Sequence, residues 1–140
     1  FLVLPIHYLS DKLVINTTPS LDTRFVWITE GDIKKGDFGI FTIDAELIGE
    51  AEKVRVTKRV ACVHPDIIIV DVRDVYCNEN FLGKALERNS KGSFMPITTD
   101  VGVIPEGYAF MAGDHEQSFD SRYYDLIPLS DLTRAVALFN

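Results

Sequence analysis

Short runs of β-branched and aromatic residues, broken at close intervals by Gly-Asp and Pro-Asp turns, leave this chain few architectures. The runs fall at residues 13–16, 25–28, 38–43, 54–63, 67–72 and 108–112. Gly31-Asp32, Lys35-Gly36-Asp37 and His64-Pro65-Asp66 punctuate them. Glycine reaches turn dihedrals without steric cost, and Asp bonds its own backbone there. Many short strands joined by tight turns predict a mainly β sandwich or barrel. One stretch reads as a short helix: residues 78–89 carry Phe81, Leu82, Ala85 and Leu86 at helical spacing and stop at Asn89-Ser90-Lys91-Gly92. Residues 130–138 offer Ser130 as a cap, but their Ala-Val-Ala-Leu-Phe tail reads as a final strand. The span 74–105 is the most loop-like, a small insertion or cap on the core sheet.

At 140 residues the chain is one domain's worth. We take residues 11–140 as a single domain and 1–10 as an apolar arm. The arm, Phe1 to Leu9, is far shorter than the roughly 20 residues a helix needs to cross a bilayer. It reads as a first strand, as a hydrophobic arm, or as the outer end of a membrane anchor. The net charge is −7, and the cations stand singly or in pairs, as in Lys34-Lys35 and Lys58-Arg59. Nucleic acid is therefore not the expected partner, since phosphate binding needs clustered Lys and Arg. The two cysteines, Cys62 and Cys77, flank a strand-like stretch. No CxxC or His cluster accompanies them, so no metal is expected. They read equally as a disulfide or as two buried thiols.

Chemistry concentrates in three places. Ser20 follows a short apolar run in Asn16-Thr17-Thr18-Pro19-Ser20-Leu21. A serine hydroxyl is a poor nucleophile until a base takes its proton. His7, His64 and His115 lie in the arm or in turns, and no Gly-x-Ser-x-Gly elbow occurs. Lys58 offers another base. Alternation along the 54–63 run puts it on one face with Val54, Val56 and Val60. Burial there would disfavour the ammonium form, whereas a lysine that carries its amine out to solvent along its stem would keep it. A useful base would titrate roughly 2 to 3 pH units below the usual value of about 10.4, at a cost of about 3 to 4 kcal/mol. The third place is Gly113–Tyr124, where Gly113-Asp114 is a turn signal. Asp120 and Arg122 share a side if that backbone is extended, which suits an ion pair bracing a loop against a sheet.

These sites occur in an order that resembles type I signal peptidases and, more closely, the TraF-type peptidases of conjugative transfer systems. Thr18-Pro19-Ser20-Leu21 is similar to the nucleophile box. Gly36-Asp37-Phe38-Gly39-Ile40-Phe41 is similar to the strand that follows it. Lys58-Arg59-Val60-Ala61 with His64-Pro65-Asp66 is similar to the lysine box and its turn. Gly113–Tyr124 is similar to the Gly-Asp-Asn…Ser-x-Asp-Ser-Arg box. The resemblance implies a signal peptidase-like β-fold of coiled antiparallel sheets and a serine endopeptidase without cofactor. Ser20 would be the nucleophile and Lys58 the general base, with Thr18 and the Ser20 N–H as oxyanion donors. Ser118 would orient the lysine. Asp120 with Arg122, and Arg59 with Asp114, would be structural braces. The implied substrate is a secreted precursor, a pilin in the TraF branch, processed at the outer face of a bacterial inner membrane by an enzyme with an N-terminal anchor. The compact 74–105 span favours that branch. In such an oxidising compartment a Cys62–Cys77 bridge is expected. Two other readings share these residues: a catalytically silent β-domain that binds an assembly partner, and a self-cleaving repressor-type Ser/Lys protease. The latter would carry an Ala-Gly or Cys-Gly bond upstream, and the sequence has none there.

Overall fold

The computed structural model describes residues 7–8, 13–15, 25–44, 46 and 53–139. In chain order the strands are β1 (His7–Tyr8), β2 (Leu13–Ile15), β3 (Phe25–Ile28), β4 (Phe38–Asp44), β5 (Lys53–Val63) and β6 (Ile67–Asp71). There follow β7 (Asp74–Cys77), β8 (Asn80–Lys84), β9 (Gly102–Val103) and β10 (Tyr108–Ala112). A single helical turn, α1 (Ser121–Tyr124), precedes β11 (Ile127–Pro128), and a 3-10 turn at Leu129–Asp131 leads into β12 (Thr133–Phe139). The strands form two sheets, with orders β1-β2-β3-β12-β4-β5-β10-β11 and β8-β7-β6-β9. Among the described residues, every strand pairing is antiparallel. The mainly β class expected from the sequence is what forms. No helix among the described residues is long and apolar enough to cross a membrane.

β5 organises the molecule because it is long and its faces differ. Val56, Lys58, Val60 and Cys62 are buried on one face, and on the other Arg55 is exposed, Arg59 half-buried and Thr57 buried. It pairs with β4 from Phe38↔Arg59 to Asp44↔Lys53. On its other edge it pairs with β10, where the register shifts between Phe110 and Met111. One core cluster gathers Phe41, Ile43, Val56, Val60, Met111, Phe119 and Tyr123 with Ala85 and Met95. A second, of Val26, Phe38, Ile40 and Ala135, comes from β3, β4 and β12. A third joins the two sheets through Cys62, Ile68, Val75, Cys77, Ile104 and Phe110. The Cys62–Cys77 disulfide sits in that junction, with Cα atoms 6.1 Å apart, and ties β5 to β7.

The helix expected at 78–89 does not form. Asn78 takes a positive φ of 55° in the two-residue turn between β7 and β8, a conformation asparagine tolerates well. Asn80–Lys84 then pairs back along β7. Phe81 lies on the outer face of this sheet, 59% exposed and 5.5 Å from the Tyr76 ring, whereas Leu82 packs against the junction cluster. Gly83 weakens a helix and favours an irregular strand, so the pairing wins over the apolar spacing. The span 74–105 is loop-like over residues 85–101, which lie outside the strands, but not throughout. That span supplies three of the four strands of the second sheet, β7, β8 and β9. Among the described residues the α-helical turn lies instead at Ser121–Tyr124, and residues 130–138 hold the end of the 3-10 turn and most of β12.

Candidate active site

Lys58 stands in the middle of β5, opposite Gly39 of β4. A side chain at Gly39 would press on Met111 Cε at 3.1 Å and on Leu132 at 3.2 Å, so glycine keeps this layer closed-packed. The Lys58 side chain is 1% exposed, and its Nζ donates to Ser118 Oγ over 2.8 Å. Burial pushes the lysine down to about 8, with Asp120 opposing the shift, Arg122 adding to it and Asp114 opposing it. Desolvation dominates because the ammonium loses its hydration shell in a site where a hydroxyl replaces water.

Ser118 is held from behind. It is fully buried; its N–H donates to His115 O at 3.0 Å and its carbonyl accepts from Arg122 Nη2 at 3.1 Å. Arg122 in turn grips Asp120 through two parallel bonds, Nε to Oδ1 and Nη2 to Oδ2, both 2.8 Å. Asp120 also caps α1 by accepting the Arg122 N–H, and its Oδ2 accepts the Gly113 N–H at 2.9 Å. One carboxylate thus ties both ends of the 113–120 loop. Burial works against the guanidinium charge, yet Asp120 outweighs it and raises Arg122 above its ordinary value. Arg122 Nη1 reaches Lys84 O at 3.3 Å, linking the loop to β8. This approach needs a glycine beneath it, because a Cβ on Gly83 would collide with Arg122 Nη1. Ser121 Oγ accepts the Met111 N–H at 2.9 Å, next to the β5–β10 register shift.

A second pair clamps the start of the loop. Arg59 donates Nε and Nη2 to the two Asp114 oxygens at 3.0 and 2.9 Å, and its guanidinium lies 4.6 Å from the centre of the Phe38 ring. The structure therefore brings together Lys58, Ser118, Asp120, Arg122, Arg59 and Asp114, residues that the sequence scatters over 65 positions or fewer in two segments. Asp120 and Arg122 meet, however, by helix capping and not along an extended strand. Ser20 and Thr18 lie outside the described residues.

Several supporting residues carried no sequence signal. Arg73, in the β6–β7 turn, donates to Ala85 O at 2.6 Å, Leu86 O at 2.8 Å and Met95 O at 2.9 Å, and so fixes the segment after β8. Tyr123 OH accepts the Leu86 N–H at 2.8 Å and joins that segment to α1. A lone arginine or tyrosine announces nothing until the chain has folded around it. Ser121 had a partial signal, its place between Asp120 and Arg122. Cys62, Asp66 and Cys77 hold ligand atoms within 4.8 Å of one another. The sulfurs are bonded to each other, and Asp66 is engaged by Lys35 at 2.8 Å and by Asn78 at 3.0 Å. This trio offers no thiolate to a metal and is a structural junction.

A buried lysine of lowered basicity, aimed by a serine hydroxyl on a braced loop, is an arrangement suited to taking and returning a proton. Searched against curated proteins, the chain finds no match. The family model for signal peptidase, peptidase S26, matches residues 3–139. The chain belongs to this signal peptidase family and is a serine-type peptidase.

Proposed function

We propose that this peptidase works through a Ser20/Lys58 dyad and processes a secreted precursor, a pilin of a conjugative transfer system, at the outer face of a bacterial inner membrane. The observation that carries the dyad is the buried Lys58 ammonium site, with its Nζ on Ser118 Oγ at 2.8 Å and its basicity lowered to about 8. Neutral Lys58 takes the Ser20 hydroxyl proton as Oγ attacks the scissile carbonyl. The Ser20 N–H and the Thr18 hydroxyl stabilise the oxyanion. As the C–N bond breaks, Lys58 returns the proton to the leaving amine. The ester is then resolved by water or by the substrate's own amine, the latter giving a cyclic product. Ser118 accepts an N–H from Lys58 throughout and turns the lone pair towards the nucleophile. Similarity of the four sequence boxes to TraF-type enzymes and the compact 74–105 span support the conjugative substrate, and the Cys62–Cys77 bridge fits an oxidising compartment.

Two measurements test the dyad. Ser20→Ala and Lys58→Ala should each abolish precursor cleavage with the far-UV circular dichroism unchanged; full activity in either sinks the dyad. The pH dependence has a defined sign. With Lys58 titrating at about 8, kcat/KM should rise about tenfold per pH unit below that value and level off above it. Folding follows the same lysine. Between about 8 and the ordinary 10.5 the unfolded chain binds the proton and the folded one does not. Stability contributed by this group therefore increases with pH across that window, and the penalty is fully present below it.

A further inference from the structure

Beside the loop that carries Ser118 lies a groove of about 240 Å³, lined by Leu86, Arg88, Asn89, Ser90 and Gln117. Gln117 directly precedes Ser118, and its N–H is bonded to His115 Nδ1 at 3.0 Å, so one short loop separates the groove from Lys58. The opposite wall is the segment after β8, and it is built to stay in place. Arg73 holds its carbonyls at Ala85, Leu86 and Met95, and Tyr123 OH accepts its Leu86 N–H. Asn89 Oδ1 accepts the N–H groups of Lys91 and Ser93 at 2.9 and 3.0 Å, and Arg88 bridges to Phe94. The wall presents a cation in a protein of net charge −7. Arg88 is exposed, spends Nη1 on Gly92 O at 2.9 Å, and meets no carboxylate among the described residues. Lys84 and Lys91 flank it in sequence, with Glu87 as the one opposing charge in that stretch.

A guanidinium surrounded by amides and a hydroxyl recognises a carboxylate. We infer that the groove is a substrate subsite that takes an acidic side chain a few residues from the bond to be cut, with Arg88 as its specificity-determining residue. The inference rests on the peptidase reading above, since the groove borders the loop that aims Lys58. The groove and Lys58 meet the same loop at adjacent residues, Gln117 lining the one and Ser118 Oγ bonding the other. The free energy of such a contact is modest because Arg88 is exposed, so the effect is a preference and not an absolute requirement.

The experiment uses quenched-fluorescence peptides spanning the bond to be cut, each carrying one Asp, or Asn in its place, at successive positions on either side. For the wild-type protein, one Asp position should raise kcat/KM about five- to tenfold over its Asn counterpart, a charge-assisted contact at a partly exposed site. The Asp/Asn ratio should fall to about one in Arg88→Gln and invert in Arg88→Glu, with Lys now favoured there. Equal ratios in all three proteins at every position would overturn the subsite. Binding of the same peptides to Lys58→Ala, read by fluorescence anisotropy, separates the two readings. Arg88-dependent, salt-sensitive binding without any cleavage by the wild type would overturn the peptidase mechanism and leave the subsite standing. Cleavage abolished by Ser20→Ala, with no Arg88 dependence in rate or binding, would do the reverse.

Discussion

Two buried cations lie close together in this fold and are treated in opposite ways. Arg122 is gripped by Asp120 through two parallel bonds, caps its surroundings with three backbone carbonyls, and is held more basic than usual. Lys58 is equally buried, donates a hydrogen bond to a serine hydroxyl at 2.8 Å, and is held less basic, at about 8. Asp120 acts on both, but it touches the guanidinium and reaches the lysine only through space. The contrast teaches a division of labour. A guanidinium paired with a carboxylate of matching geometry keeps its charge, and an ammonium buried against a hydroxyl has its charge disfavoured. The permanent pair then positions the loop whose hydroxyl aims the labile one.

The largest effect expected is the one that removes the labile cation. Lys58→Met keeps the length of the side chain and deletes the charge. With Lys58 as the proposed general base, peptide cleavage should fall by at least about a thousandfold, the scale for losing such a base together with its nucleophile's activation. Urea denaturation at pH 6 should show the variant more stable by up to about 3 kcal/mol, because the desolvation penalty disappears. That gain should shrink as the pH approaches 10. A variant less stable than the wild type at pH 6 would mean that Lys58 is a structural cation like its neighbour.

Breaking the permanent pair should act the other way. Asp120→Ala strands a buried guanidinium and uncaps α1, and should cost about 3 to 5 kcal/mol in urea denaturation. Cleavage should fall too, through loss of order in the Ser118 loop. If stability is unchanged, Arg122 does not depend on Asp120 and the contrast fails. A smaller perturbation sharpens the point. Gly83→Ala strains a residue at φ 146° and pushes on Arg122 Nη1, so it should cost roughly 1 to 3 kcal/mol. The Lys58 limb of the pH–rate profile should stay near 8 if the arginine simply shifts, and should move if the Ser118 loop shifts with it.

Much of this arrangement is legible before folding. The alternation through Val54, Val56, Lys58 and Val60 puts the lysine on an apolar face, because the two-residue period of a strand is local and robust. Asp120 and Arg122 announce a pair by proximity alone. What escapes is whatever depends on a distant partner. The 78–89 stretch carries helical spacing, yet β7 was available to pair with Asn80–Lys84, and a ladder outweighs a weak local preference. The bracing pair of Asp120 and Arg122 forms, but how it meets depends on a distant partner for a related reason. Asp120 is the cap of α1, and its second oxygen is needed by Gly113 seven residues earlier.

The sequence by itself determined the β class, the apolar strand face on which Lys58 stands and the family to which the chain belongs, because strand periodicity and short motifs are properties of neighbouring residues. Only the tertiary structure decided that Ser118 would meet Lys58 across 60 positions of chain, that Arg122 would need Gly83 beneath it, and that Arg88 would face a groove beside Gln117. Those outcomes depend on which surfaces pack together, and burial and electrostatics act between groups the chain keeps far apart. The lysine was given its place by periodicity, but its lowered basicity came from the walls the fold built around it.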